Sequence, residues 1–255
     1  MIKVQLQPAY VLHQRAYRDS SALLEIFTPE HGRVGVVGKG VRAPRSRRRA
    51  LLQPFQPLLI SWNQRGELGT LVGVEAQGQA LRVAPAFIAS GFYLNELLIR
   101  LLARDDAQVE LFGTYDATLR ELVALDGAGA QAEARLEVLL RRFELQLLAA
   151  LGYGLLLDHD VAGAPIDGDA TYRYVPERGA VPLTGCDEDE GPTVAGRALL
   201  SLCRGELDDA RVRSDAKRLL RAVLARYLGP KPLHSRQLAR SRAAAAGAAV
   251  APTLR

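Results

Sequence analysis

Apolar and polar residues alternate along the first 80 residues, and this two-residue period predicts β-strands. Residues 4–14 alternate loosely and predict a first strand. The apolar runs 22–27 and 34–37 flank the tetrapeptide PEHG at 29–32, whose proline and glycine have turn chemistry. We therefore expect the two runs to pair as a hairpin.

A second hairpin is predicted after an arginine-rich loop. Residues 54–63 and 67–75 carry alternating apolar side chains, and a short turn at 64–66 joins them. About five short strands in so short a stretch predict a small Greek-key barrel. The OB-fold, a common platform for single-stranded nucleic acid, is the best match, so residues 1–80 are predicted to form an OB-fold domain.

The apolar period lengthens after residue 85 and becomes helical. Residues 87–104, 109–125 and 132–151 each place leucines and aromatic residues on one stripe, which predicts three helices. The fold class is therefore α+β, with an N-terminal OB-fold β-barrel followed by an α-helical domain over residues 81–242.

Residues 153–192 interrupt the helical pattern with an acidic stretch of little periodicity, in which Tyr172 and Tyr174 alternate with polar residues and indicate a small hairpin. Further helices are predicted over 194–203, 215–228 and 235–242, the second with Ser214 as its N-cap. The tail at 243–255 is low in complexity, and we expect it to be disordered.

Two basic ends flank an acidic middle. Residues 1–80 hold 11 Lys and Arg against 5 Asp and Glu, residues 211–255 hold 11 against 1, and residues 153–210 hold 4 against 12. Such asymmetry is typical of a protein with one surface for nucleic acid. The alternative is solubility charge scattered by chance, which the arginine cluster at 45–49 disfavours.

The cysteine content indicates a reducing compartment. Cys186 and Cys203 are the two cysteines, too few for a disulfide-stapled secreted domain. The N-terminus lacks the apolar region of a signal peptide, and the apolar stretches are too short to span a bilayer. We therefore expect a cytoplasmic protein.

No motif indicates catalysis. The tripeptide GKG at 38–40 lacks the spacing of a phosphate-binding loop, and no HExxH pattern occurs. The acidic tetrad at 187–190 is a candidate Mg²⁺ site of a nuclease, but no surrounding residues supply fixed geometry, which favours a solvated loop. The sequence therefore predicts no enzyme, no cofactor and no metal.

Six segments in order resemble one family across nearly the whole chain. They are AYVLHQRAYRDSSALLEIFTPEHGRVGVVGKGVR, LQPFQPLLISWNQRGELGTL, FYLNELLIRLL, RRFELQLLAALGYG, TYRYVPERGA and RYLGPKPLHSRQL. Together they resemble the RecO family of bacterial recombination mediators. The resemblance implies an OB-fold followed by a helical domain. It also implies binding of single- and double-stranded DNA, annealing of complementary strands, and action with RecR to load RecA onto strands coated by single-strand-binding protein.

The chain departs from many relatives at one place. The resemblance implies a four-cysteine zinc ribbon after the LGYG segment, but Asp160 and Gly163 stand where the first cysteine pair is expected, and Cys186 has no partners. One thiolate cannot replace four. The chain therefore resembles the zinc-free branch, with a small irregular or β insertion at 153–192 in place of the ribbon.

Cations at the N-terminal end are the candidates to contact DNA phosphates. Such contacts give affinity without sequence choice and depend strongly on salt. The candidates are Arg15, Arg18, Arg33, Lys39, Arg42, Arg45, Arg47, Arg48 and Arg49. Trp62, Phe55 and Tyr17 are candidates to stack on bases, with a place in the barrel core as the alternative.

A second candidate site lies on the third predicted helix. The resemblance implies that the segment around Arg141 and Arg142 receives the acidic, phenylalanine-ended tail of single-strand-binding protein, since a carboxylate and an aromatic ring need arginine beside an apolar pocket. The alternative is a leucine core with solvated arginines.

A C-terminal basic cluster has three open interpretations. It extends the DNA path, balances the acidic middle or faces RecR. Its members are Lys217, Arg218, Arg221, Arg226, Lys231, Arg236, Arg240 and Arg242. For the whole chain, an OB-fold adaptor for nucleic acid or protein, without annealing activity, is the alternative to the mediator.

Overall fold

The computed structural model describes residues 1–125, 129–183, 191–238 and 241. The first strands are β1 Ile2–Tyr17, β2 Ser21–Thr28, β3 Gly32–Gly38, β4 Leu58–Arg65 and β5 Leu68–Ala76, with the short helix α1 Arg47–Leu51 between β3 and β4. A 3₁₀ turn, Pro85–Phe87, leads to the helices α2 Ile88–Leu101, α3 Val109–Ala124 and α4 Ala130–Ala150. The last elements are β6 Thr171–Val175, β7 Gly179–Pro182, β8 Thr193–Ala195, α5 Gly196–Arg204 and α6 Ala210–Leu228.

The first five strands close into a barrel in the order β1-β2-β3-β5-β4. β1 pairs antiparallel with both β2 and β4, and β3 pairs parallel with β5 at Val36 and Gly69. The predicted hairpin of β2 and β3 is confirmed, with Thr28 opposite Gly32. This five-stranded topology is that of an OB-fold, and the predicted α+β class with an N-terminal OB-fold is confirmed.

Two predicted strand boundaries are wrong. β1 is longer than 4–14 because register shifts between Val4 and Gln7 and between Val11 and His13 let one strand bend from β4 to β2. β4 begins at Leu58 instead of residue 54, after a segment whose prolines lack the N–H that a central strand needs. The predicted arginine loop contains α1, which at five residues is too short to show a helical period.

The barrel core settles the role of two aromatic candidates. Trp62 is fully buried, and its indole N–H donates to Oε1 of Gln64 at 3.2 Å. Phe55 is buried against α2, where a Cβ on Gly91 would lie 2.7 Å from Cζ of the Phe55 ring. Neither ring is available to stack on a base. Tyr17 is half-buried, with the guanidinium of Arg18 5.3 Å from its ring centre.

An aromatic cluster joins the barrel to α2 and α3. The ring of Tyr10 on β1 lies edge-on to that of Tyr115 on α3, with 5.2 Å between their centres. The hydroxyl of Tyr115 donates to Oδ1 of Asn95, whose Nδ2 donates to the Leu12 carbonyl at 2.9 Å. Because these polar groups are buried and paired, they fix the helices to β1.

The turn between β2 and β3 is also fixed to the loop after α2. Arg33 donates from Nη1 to Glu25 at 3.1 Å and from Nη2 to the Leu102 carbonyl at 2.9 Å. Arg104 forms a second ion pair with Glu25. Gly32 has φ of +57°, and a Cβ there would lie 1.7 Å from the carbonyl oxygen of Asp106. This contact requires glycine.

We expect the substitution Gly32→Ala to lower the free energy of unfolding by about 3 kcal/mol or more, since left-handed strain costs about 1–3 kcal/mol and the clash adds to it. The matched control is Gly40→Ala, where φ is +68° but nothing lies within 4 Å of a Cβ. Urea unfolding of both variants measures the difference. Equal losses would show that the contact with Asp106 contributes nothing.

Glu96 on α2 anchors the C-terminal segment. Its carboxylate accepts hydrogen bonds from the backbone N–H groups of His234 and Ser235, both at 2.9 Å, and from the Ser235 hydroxyl at 2.7 Å. Burial by itself raises the pKa of Glu96, but the hydrogen bonds from Ser235 and His234 outweigh it and lower the pKa. The Glu96 carboxylate thus caps the N-terminal end of the final helix, which the structure describes at 234–238. This start lies within one residue of the start of the predicted 235–242 helix.

Helices α5 and α6 pack against a small antiparallel sheet of order β7-β6-β8, and α4 packs against α6. The predicted hairpin is β6 and β7, with Tyr174 opposite Ala180. The predicted start of α6 is wrong: the helix begins at Ala210, and the Asp209 carboxylate caps it by accepting from the N–H groups of Arg211 and Val212. Ser214, the predicted cap, therefore lies inside the helix.

The chain forms two compact units, one of residues 1–123 with the segment from 232 onward and the other of residues 124–231. The predicted domain boundary near residue 81 separates barrel from helices and stays a prediction. The acidic tetrad at 187–190 and the tail at 243–255 lie outside the described residues. No helix within the described ranges is long and apolar enough to cross a membrane.

Candidate nucleic-acid interface

The predicted DNA-contacting cations lie on the surface of the barrel unit, with one exception. Exposed side chains belong to Arg15, Arg18, Lys39, Arg42, Arg45, Arg47, Arg48 and Arg49. Between Glu30 and Glu67 the sequence has eight basic residues and no acidic one. This acid-free stretch gives the barrel a strongly positive surface, as expected for a polyanion ligand.

Arg33 is the exception. Its side chain is 16% exposed, and its guanidinium is held by Glu25 and the Leu102 carbonyl. A mostly buried guanidinium whose N–H groups already donate to a carboxylate and a carbonyl has few donors to offer a phosphate. Sequence gives no sign of this difference, because Glu25 lies eight residues away and meets Arg33 only through the pairing of β2 with β3.

Residues 39–49, which we call the basic arm, are fixed by contacts at both ends. Val41 and Leu52 are buried in the barrel core on either side of the arginines. The backbone N–H of Arg42 donates to the Ser20 carbonyl at 2.8 Å, and Nη2 of Arg48 donates to the Val72 carbonyl at 3.0 Å. The arm is therefore a positioned surface that presents its other cations to solvent.

The short helix α1 concentrates charge at one point of the arm. Arg47, Arg48 and Arg49 are consecutive, all exposed, and the helix buries none of its residues. Its first turn has no acidic residue, so nothing within the helix offsets the repulsion between the cations or with the positive end of the helix dipole. A nearby phosphate chain would relieve this repulsion.

Three of the predicted residues meet although they are far apart in sequence. Arg15 on β1, Arg42 after β3 and Arg49 on α1 line one cavity of about 240 Å³. The remaining lining residues are Gln14, Ala16, Ala22 and Val41. No sequence pattern signals this convergence, because it depends on the closure of the barrel.

The candidate tail site on α4 divides into one buried and one exposed arginine. Arg141 is 4% exposed and forms an ion pair at 2.5 Å with Glu144, which is fully buried. Arg142, its neighbour, is exposed. Consecutive residues on a helix point roughly 100° apart, which is why adjacent arginines have different surroundings.

Several members of the C-terminal cluster pair with carboxylates inside or outside the acidic stretch 153–210. Lys217 contacts Glu137 at 2.6 Å, and Arg218 contacts Asp215 at 2.8 Å. Arg226 lies 3.9 Å from Glu177. Arg240 and Arg242 lie outside the described residues.

The residues where the family resemblance implies a zinc ribbon do not fit a metal ion. Oδ1 of Asp160 accepts hydrogen bonds from the N–H groups of Ala162 and Ala164 at 2.8 and 2.9 Å. Gly163, at φ of +80°, has no side chain to offer. In the part of the chain that the structure describes, no three His, Cys, Asp or Glu residues group together as metal ligands. The Asp160 carboxylate closes this turn together with backbone hydrogen bonds, such as that from the Gly163 N–H to the Asp160 carbonyl at 3.0 Å.

We expect Asp160→Ala to lower the free energy of unfolding by about 1–2 kcal/mol, since two backbone N–H groups lose their acceptor. Asp160→Asn keeps an acceptor oxygen and should retain most of the stability. Thermal melts with and without EDTA complete the test, and we expect no effect of the chelator. A melting temperature that falls with EDTA would contradict the metal-free turn.

Comparisons with known proteins agree on one family. Family models described as recombination protein O N terminal and C terminal match residues 1–79 and 86–237. Proteins named DNA repair protein RecO are similar to this chain: that of Nitrosococcus oceani is 48% identical over 238 residues, 93% of each chain. Those of Alkalilimnicola ehrlichii and Methylococcus capsulatus are 47% and 45% identical, covering 93% and 94% of this chain and 92% and 94% of theirs. The chain therefore belongs to the RecO family.

Proposed function

We propose that this chain is a DNA repair protein that mediates homologous recombination in the cytoplasm. It binds single- and double-stranded DNA, anneals complementary strands, and with RecR helps load RecA onto strands coated by single-strand-binding protein. It acts without covalent catalysis. The observation that carries the proposal is the exposed, acid-free basic arm on the OB-fold of a RecO family member.

Annealing follows from charge neutralisation. Two complementary strands repel each other through their phosphates, and this repulsion slows pairing. Cations on the arm would hold the backbones through phosphates while the base edges stay free, since such contacts carry no sequence information. With Trp62 and Phe55 in the core, the binding would rely on backbone contacts more than on base stacking.

The test is to mix complementary oligonucleotides with and without the protein, free of nucleotide and metal. We expect the protein to accelerate pairing, and the acceleration to decline as salt rises. DNA binding without faster annealing would favour the alternative of an OB-fold adaptor. Strand cleavage that requires Mg²⁺ would contradict both and favour a nuclease.

We also propose that α4 receives the acidic tail of single-strand-binding protein. Arg142 is exposed and would contact the tail carboxylates directly. Arg141 and Glu144 form a buried pair beneath this surface and would hold it in place. Titration of a fluorescent tail peptide with an Arg142→Ala variant tests the contact, and we expect weaker peptide binding with unchanged binding of naked DNA.

A further inference from the structure

The cavity formed by Arg15, Arg42 and Arg49 differs from the rest of the basic surface because three segments build it. We propose that it is a discrete site for a single phosphate group, and that the other exposed arginines of the arm screen charge diffusely. The proposal rests on the proposed function in one respect: the DNA backbone is then the natural source of the phosphate.

The three arginines are held by separate parts of the barrel. Arg15 lies in the β1–β2 ladder opposite Leu23. Arg42 follows β3, with its backbone N–H bonded to the Ser20 carbonyl and Nη1 3.4 Å from the Arg18 carbonyl. Arg49 comes from α1. Since each position is set by a different element, their convergence is a property of the fold and does not follow from the run of arginines.

The lining of the cavity selects an anion. No carboxylate lines it, and its other walls are the apolar side chains of Ala16, Ala22 and Val41 with the amide of Gln14. Within the described residues, none of the three arginines forms an ion pair.

The size and geometry of the cavity suit phosphate. A volume of about 240 Å³ is room for roughly eight waters at ~30 Å³ each, which matches a phosphate group with its attached sugar. Guanidinium groups bind phosphate oxygens through paired N–H donors, so three of them can satisfy a tetrahedral oxyanion from several sides. The phosphate could belong to an internal phosphodiester, a strand end or a free phosphate, and the experiment below separates these sources.

The first experiment measures the affinity for a single-stranded dT oligonucleotide at constant ionic strength, with chloride replaced stepwise by inorganic phosphate. We expect phosphate to weaken DNA binding more than chloride does. Arg42→Gln and Arg49→Gln should each lower DNA affinity by about tenfold and abolish this excess competition. The matched controls Arg45→Gln and Arg47→Gln remove the same charge, and phosphate should still weaken their DNA binding more than chloride does.

Lysine variants separate geometry from charge. Arg42→Lys and Arg49→Lys keep the cation but lose the planar fork, so they should retain the salt dependence and lose the phosphate selectivity. A 5′-phosphorylated oligonucleotide that binds more tightly than its 5′-hydroxyl counterpart would identify a strand end as the source, and equal binding would identify the internal backbone.

Protein without DNA gives an independent readout. Inorganic phosphate should raise the melting temperature of the wild type more than chloride at equal ionic strength, and should do so less for Arg42→Gln. The discrete site is wrong, even though DNA still binds, if phosphate and chloride weaken DNA binding by the wild type equally. It is also wrong if the excess competition by phosphate falls equally in all four glutamine variants. If DNA does not bind but phosphate stabilises the wild type more than it stabilises Arg42→Gln, the proposed function fails and the phosphate site stands, because the general stabilising effect of phosphate is the same for both proteins.

Discussion

Replacing Arg45, Arg47, Arg48 and Arg49 together by glutamine should lower the affinity for single-stranded DNA by about a hundredfold at low salt. Each lost phosphate contact reduces the dependence of log K on log salt by about 0.7 for single strands, so the slope should fall by about 3. All four side chains are exposed, so their loss should leave the barrel core intact and remove one contact of the arm, the hydrogen bond from Arg48 to the Val72 carbonyl. Fluorescence anisotropy over a salt series measures both quantities.

The matched control removes four exposed arginines elsewhere. Glutamine at Arg82, Arg135, Arg204 and Arg211 changes the net charge by the same amount without touching the basic arm. We expect this variant to keep most of the dependence of log K on log salt. If both variants lose it equally, the net charge of the protein governs binding and the arm has no special role.

Arg141→Ala should lower the free energy of unfolding by about 3–5 kcal/mol. The substitution removes the ion pair between Arg141 and Glu144, which is fully buried, and breaking a buried ion pair by removing one partner is strongly destabilising. The matched control is Arg142→Ala on the exposed side of the same helix, which should change stability by no more than about 0.5 kcal/mol. Urea unfolding at neutral pH measures both.

A double variant separates the charge from the packing. Arg141→Met combined with Glu144→Leu removes the pair and keeps apolar volume, and we expect it to recover most of the stability lost in Arg141→Ala. An Arg141→Ala variant that unfolds like the wild type would show that the pair with Glu144 contributes little. Because loss of the fold also abolishes peptide binding, Arg142→Ala is the informative variant for the tail site.

Hydrophobic periodicity and turn residues predicted the secondary structure correctly where neighbouring residues determine it. The turn at 29–32, the alternation in β4 and β5, and the leucine stripes of α2 to α4 were all predicted from sequence. Those features depend on backbone preferences and on burial of one face of an element. The strand boundaries failed at β1 because a bulged strand can change partners along its length.

Charge in the sequence did not distinguish the arginines by role. Arg33 and Arg45 look alike in the sequence, but the first is held by Glu25 and the second is exposed. Whether a cation meets a carboxylate, a carbonyl or solvent depends on which strands and helices are brought together. The asymmetric charge therefore predicted a nucleic-acid surface without predicting which residues form it.

The sequence by itself determined the strands and helices, because hydrophobic period and turn chemistry act over a few residues. It also showed the basic arm, and six of its segments carried the resemblance to the family. Only the tertiary structure decided that Trp62 is core and that Arg141 is buried. It also decided that Arg15, Arg42 and Arg49 share one cavity. These outcomes depend on barrel closure and helix packing, which bring together residues that are tens of positions apart. Contacts between distant residues produce no periodic pattern in the sequence from which they could be predicted.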